Sequence, residues 1–172
     1  VNGKRVVCPY YARWKCMVRR CYSEKFIAKY PTYADCVICH DWSSFSKFRL
    51  WMKKQDWKGK ELDKDIKIKG NKVYSPETCL FIDQSINKLI NKNSLSERNL
   101  PSGVSFDKAR NTYIATIKTN GKKRYIGSSN SVSEAESIYI KEKNKEIKKK
   151  AKENPSISDY LLNHLVPLTL TE

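Results

Sequence analysis

LDKDIKIKGNKVYSPETC, residues 62–79, decides how the N-terminal half is read. Apolar and polar residues alternate through Leu62, Ile66 and Ile68, the period-2 pattern of a strand with one buried face. Gly70-Asn71 is a turn signal, and Val73-Tyr74 opens a second extended run. The stretch therefore predicts a hairpin: ELDKDIKI runs out, Gly-Asn turns, and KVYSPETCLFI returns. DQSINKLINK then predicts a helix, with Asp83 suited to the N-cap and Ile86, Leu89 and Ile90 facing inward.

Upstream, Tyr10, Tyr11, Trp14, Met17 and Val18 recur at near-helical spacing, which predicts one helix over residues 8–30. Pro31 restricts Tyr30 and ends it. HDWSSFSKFRLWMKKQ predicts a second amphipathic helix, with Asp41 or Ser43 near its start. Trp14, Trp42, Phe45, Phe48 and Trp51 have the spacing of core residues. The six cysteines all fall in the first half, and Cys36-Val-Ile-Cys39 has the gap that lets two thiolates reach one tetrahedral zinc. Two readings stand side by side. In one, Cys21, Cys36, Cys39 and Cys79 hold a structural Zn²⁺, with His40 able to replace one thiolate. In the other they are free thiols packed by Trp14, Trp42 and Trp51.

Downstream, NKNSLSERNLPS, residues 91–102, is polar and marks a linker. The pattern then changes to three strands, with KTNGKK as an Asn-Gly hairpin between the last two. A long helix follows, with Ser131 or Ser133 at its N-cap, acids early and lysines late. SISDYLLNHL adds a short helix whose Tyr160, Leu161, Leu162 and Leu165 dock on the preceding domain. The expected fold class is α+β: a helical domain with a ββα hairpin over 1–90, a linker over 91–102, a three-stranded antiparallel sheet with one helix over 103–154, and a helical tail over 155–172.

Thirty-four Lys and Arg against eighteen Asp and Glu leave the 172-residue chain at a formal +16. A polyanion is the expected partner, because association with phosphates is driven by release of condensed counterions. No apolar run approaches the roughly 18 residues of a membrane span, and no lipidation motif is present, so a membrane partner is not expected. The first residues lack the apolar middle of a signal peptide, and the expected compartment is the cytoplasm.

Twelve basic and five acidic residues fall in positions 101–150. GVSFDKARNTYIATIKTNGKKRYIGSSNSVSEAESIYI resembles the AP2 domain, an integrase-like module of three strands and one helix, in its Gly-Val opening, aromatic-x-Ala centre and Gly-then-Glu-Ala helix entry. That family reads duplex DNA with arginine and aromatic side chains of its sheet. Carried over by position, the resemblance implies DNA-binding roles for Lys108, Arg110, Tyr113, Lys118, Lys123 and Arg124. Tyr113 stands where the family often has tryptophan.

The N-terminal half resembles phage-type HNH endonuclease-related proteins. The resemblance rests on Arg20-Cys21, Cys39 before Asp41-Trp42, Phe45-x-x-Phe48, and the Leu62-Asp63, Gly70-Asn71 and Tyr74-Ser-Pro-Glu-x-Cys79 elements. It implies a DNA endonuclease of the homing type, in the host cytoplasm if phage-encoded. Asp63 or Asp65, with Asn87, would hold Mg²⁺ at the scissile phosphate, and Lys64 or His40 would assist water. The departure is Lys64, where the motif has histidine. The competing expectation is a catalytically degenerate DNA-binding regulator, or a protein that blocks a host nucleic-acid or defence enzyme.

Overall fold

The structure, a computed structural model, describes residues 7–91, 100–119 and 121–168. It is a mixed α+β chain that divides into two compact units, Val1–Asp83 and Gln84–Glu172. The helix expected at 84–90 therefore belongs with the C-terminal unit. Most of the expected linker, residues 92–99, lies outside the described residues.

In the first unit, Pro9 starts α1 (Pro9–Tyr22) at a position where its missing N–H costs nothing. The single helix expected over 8–30 breaks at Ser23. Its backbone is extended, and its hydroxyl accepts from Phe26 N to cap α2 (Glu24–Lys29). The second expected helix also divides. A 3₁₀ turn spans His40–Ser43, Ser44 is extended, and α3 runs Phe45–Lys53. Asp41 does not cap this helix; its carboxylate instead pairs with Lys47 at 2.6 Å.

The expected hairpin is corrected more deeply. β2 (Glu61–Asp63) pairs antiparallel with β4 (Leu80–Ile82), placing Leu62 opposite Phe81. β3 (Val73–Tyr74) pairs parallel with β1 (Val37–Ile38). Gly70, with φ +78°, does form a turn, but the strands on its two sides go to different partners. Over these pairs lies a core of Met17, Trp42, Phe48, Met52, Tyr74 and Cys79, each almost fully buried. Trp42 packs edge-on to Phe48 at 5.0 Å and lies 4.5 Å from Trp51, which stacks on Phe81. Each such pair adds about 0.5–1.5 kcal/mol beyond area burial. The aromatic spacing in the sequence thus marks a core.

In the second unit, α4 (Gln84–Ile90) buries Ile86 and Ile90. β5 (Val104–Asp107), β6 (Thr112–Thr119) and β7 (Lys122–Ser129) form an antiparallel sheet in that order. Asn120 lies outside the described residues; Gly121 beside it has φ +80°. α5 (Val132–Glu153), with Ser131 at its N-cap, covers one face of the sheet. α6 (Ser158–Leu162) packs on α5 and buries Leu161 completely, while Tyr160 and Leu162 stay partly exposed. Asn144 of α5 grips the main chain after α6. Its Nδ2 donates to Val166 O at 2.7 Å, and its Oδ1 accepts from Val166 N at 2.9 Å.

Gly103 enters β5 with φ +79°, and an added Cβ would collide with the ring of Tyr139 on α5. Gly103→Ala therefore combines a left-handed backbone penalty with overpacking. The expected loss is about 2–4 kcal/mol, read as a lower denaturation midpoint at unchanged slope.

Candidate nucleic-acid interface

Strand register assigns each residue of the sheet to a face. Val104, Ala115 and Gly127 are cross-strand partners, and Val104 and Ala115 are buried. A Cβ at Gly127 would sit 3.2 Å from Ile138 of α5, so this is the helix-covered face. Tyr113 and Ile117 share it, by the alternation of β6. Between Ala115 and Thr116 the register shifts, and Ile126 of β7 is left as an extra residue. Beyond this bulge Arg124 pairs with Ile117 and turns toward the helix, while Tyr125 pairs with Thr116 and turns away.

The covered and open faces therefore divide the expected DNA-binding residues. Lys118 and Lys123 are direct cross-strand partners on the open face. Lys108 and Arg110 are exposed on the β5–β6 turn, where Asp107 Oδ1 accepts from Ala109 N and Arg110 N at 2.9 and 3.3 Å. Tyr113 lies instead on the covered face, 5.0 Å from the ring of Phe106. Arg124 is also on the covered side. It bonds Glu142 of α5 at 2.6 Å and lies 3.6 Å from Glu146. Paired with two carboxylates, Arg124 is a strut between strand and helix.

Tyr125 was missed as an interface residue. It is 58% exposed on the open face, and its hydroxyl lies 3.1 Å from Ser128 Oγ. Strict alternation from Arg124 gives the same side as this structure, but alternation from Gly127 gives the opposite one. Only the bulge settles it. Along the free edge of β6, Lys118 and Lys123 also line a groove of about 720 Å³ with Lys88, Gln84, Ser85 and Tyr139. Lys88 and its α4 neighbours likewise went unread as interface residues, because the sequence gives no sign that α4 joins this unit.

Of the residues expected to do chemistry, Asp63, Lys64 and Asp65 form a polar knot in the first unit. Asp63 is buried, and its Oδ1 accepts from Asp65 N and Ile66 N, both at 2.8 Å. Burial pushes its carboxyl up, against the pull of those two N–H groups. Lys64 is also buried. Its Nζ donates to Asp65 Oδ1 and Oδ2 at 2.8 and 2.9 Å and to Asn71 O at 2.5 Å. The Nζ thus contacts three acceptor oxygens, two of them on the one Asp65 carboxylate. Asn71 Nδ2 completes the knot by donating to Lys64 O and Val73 O. Asn87 belongs to the second unit, on α4, where its side-chain oxygen accepts from Asn91 Nδ2. His40 sits in the 3₁₀ turn before α3.

Four of the six cysteines belong to the core or pack against it, and Cys8 and Cys16 are exposed. Cys21, Cys36 and Cys79 are buried and Cys39 is partly so. Burial pushes the Cys21 and Cys79 thiols up to about 12 and raises Cys36 in the same direction. Among the described residues no three His, Cys, Asp or Glu side chains come together as a metal site. Cys21, Cys36, Cys39 and Cys79 do not form such a group. The chain matches no protein-family model, no curated protein and no solved structure.

Because the folded carboxyl of Asp63 binds its proton more tightly than an unfolded one, its contribution to stability is greatest in acid. That contribution falls as pH rises from about 4 through the folded value. Asp63→Asn keeps an oxygen for the two N–H groups and should flatten this part of a denaturation-versus-pH curve, with no loss of stability at pH 7. In the native protein, exposed Cys8 and Cys16 should be alkylated first and the buried thiols slowly, as followed by mass spectrometry. Addition of EDTA should change neither the slow rates nor the melting temperature; faster labelling of Cys36 and Cys39 would reveal a bound zinc.

Proposed function

We propose that this protein binds double-stranded DNA through the open face of the β5–β7 sheet, with the first unit acting as a folded scaffold and not as a cutting centre. The observation that carries the reading is Lys118 placed directly across from Lys123 on an exposed sheet face. Like charges at cross-strand positions destabilise a sheet. Neither lysine has an ion pair among the described residues: Asp107, which shares the face, lies at the far end of the sheet beside Arg110, and Glu142 and Glu146 are engaged by Arg124. A phosphate backbone supplies the missing anion. Exposed Lys108 and Arg110 at one end, Tyr125 in the middle and Lys88 along the edge extend the basic surface. A twisted three-stranded layer has the width to enter a major groove, where lysine and arginine reach phosphates and guanine edges.

The scaffold role of the first unit is supported by the knot at Lys64. A lysine held by three acceptors organises the loop and offers nothing to a substrate. Among the described residues no helix is long and apolar enough to cross a membrane.

Fluorescence anisotropy with a labelled duplex over a salt series tests the reading. Lys118→Ala with Lys123→Ala should weaken binding about 10–100-fold and reduce the salt slope by about two. Arg124→Gln should lower stability, since it leaves Glu142 and Glu146 facing each other, and change affinity little. Duplex incubated with the protein and Mg²⁺ or Mn²⁺ should stay intact. Metal-dependent nicking that disappears in Asp63→Asn would overturn the scaffold assignment, and unchanged affinity in the double-lysine variant would overturn the interface.

A further inference from the structure

A second basic surface lies on α5, on the other side of the three-stranded layer from the open face. Lys141, Lys145, Lys148, Lys149 and Lys152 line a cleft of about 590 Å³ together with Asn144 and Leu168. At about 100° per residue, these five lysines fall within one arc roughly 100° wide. That arc is separate from the side of Ile140, Ile147 and Ala151, and it meets the sheet-facing side at Ile138. Ala135, Ile138 and Tyr139 face the sheet, while Ile140, Ile147 and Ala151 are buried on the side toward α6. Over eleven residues the stripe rises about 16 Å, comparable with two to three successive phosphates of one DNA strand.

Two features separate this stripe from an ordinary solvated helix face. The ion pairs of the nearby acids are made elsewhere, Glu142 and Glu146 with Arg124 and Glu153 with Lys150, while Lys145 and Lys149 act on Glu142 and Glu153 only through space. One wall is fixed, because Asn144 holds the main chain of Val166 by both its N–H and its C=O and so keeps the following residues beside the lysines. The one apolar side chain lining the cleft is Leu168, which is exposed; a helix lying on a membrane needs a broad apolar strip. The complementary partner is therefore a rigid polyanion that makes phosphate contacts without base contacts.

We infer that this stripe is a second, sequence-indifferent duplex-binding surface, so that one molecule holds two DNA segments, one on the sheet and one on α5. The inference rests on the proposed DNA-binding function. It explains why the lysines are concentrated between the sheet-facing side of the helix and the side toward α6.

The test uses the full chain in four forms: wild type, a sheet variant (K118A/K123A), a stripe variant (K145Q/K148Q/K149Q) and the combination. A short labelled duplex reports binding, and capture of a fluorescent duplex by a bead-bound one reports bridging. Wild type should bind and bridge. The stripe variant should keep single-duplex affinity within about threefold and lose bridging, with circular dichroism confirming that α5 is intact. The sheet variant should retain weak binding that does not depend on sequence, and the combination should remove it. Bridging that survives in the stripe variant overturns the inference, as does a sheet variant with no residual binding while wild type binds. A stripe variant that loses binding to phosphatidylserine vesicles but still bridges would reassign the surface to membranes and equally overturn it. If wild type binds no duplex at all, the DNA-binding reading itself fails, an outcome distinct from each of these.

Discussion

One extra residue in β7 controls what the second unit presents to its surroundings. The bulge at Ile126 shifts the register between Ala115 and Thr116, so the strand shows opposite sides before and after it. Without the bulge, Tyr125 would point under α5 and Arg124 would stand in solvent. With it, Arg124 reaches Glu142 and Glu146, and Tyr125 joins Lys118 and Lys123 on the open face. The same residue thus fixes the helix to the sheet and sets the composition of the exposed surface. Bulges re-aim side chains at functional edges in this way because the unpaired residue adds local twist as well as changing the face.

The first unit is organised by a different constraint. Its strands are two or three residues long and could not persist alone. They are held apart and in register by the buried group of Asp63, Lys64, Asp65 and Asn71, which ends β2, closes the loop and starts β3. Ser75 and Thr78 continue the same work on the return path. Cys79 N donates to Ser75 O, and Thr78 Oγ1 donates to Val73 O, which brings the chain round to β4. Fully satisfied polar networks of this type specify one arrangement strongly, because any partial arrangement leaves buried groups unpaired.

Periodicity in the sequence identified the elements that are long and locally determined. α5 with Ser131 at its start, the three strands of the C-terminal sheet and the aromatic core residues Trp42, Phe48 and Trp51 were all legible. Failures came where a short polar residue redirected the chain. Ser23 divides the first helix and Ser44 the second, since serine in an extended conformation ends one segment and begins another at little cost. The hairpin reading of residues 62–79 failed because local alternation carries no information about partners: β3 finds β1, about 36 residues earlier, instead of the strand beside it. At the interface, Lys118, Lys123, Lys108 and Arg110 were legible as basic exposed positions. Tyr113 and Arg124 were read as DNA-binding and lie on the covered face, while Tyr125 was not read; for Arg124 and Tyr125 the reason is the bulge, which leaves no trace in residue type. The cysteine spacing allowed a metal knuckle or packed thiols, and the structure buries Cys21, Cys36 and Cys79 in the aromatic core.

The grip of Asn144 on Val166 has a consequence for how this chain can drift in sequence. The amide side chain reads only main-chain atoms, so the contact does not depend on which side chain position 166 carries. Any residue except proline can occupy 166 and still offer both an N–H and a C=O. Position 144, by contrast, needs a donor and an acceptor at the end of one short side chain, which aspartate, leucine and lysine do not provide together. The helix residue is thus the constrained half of the pair. The tail it holds is free to change its surface chemistry without losing its place.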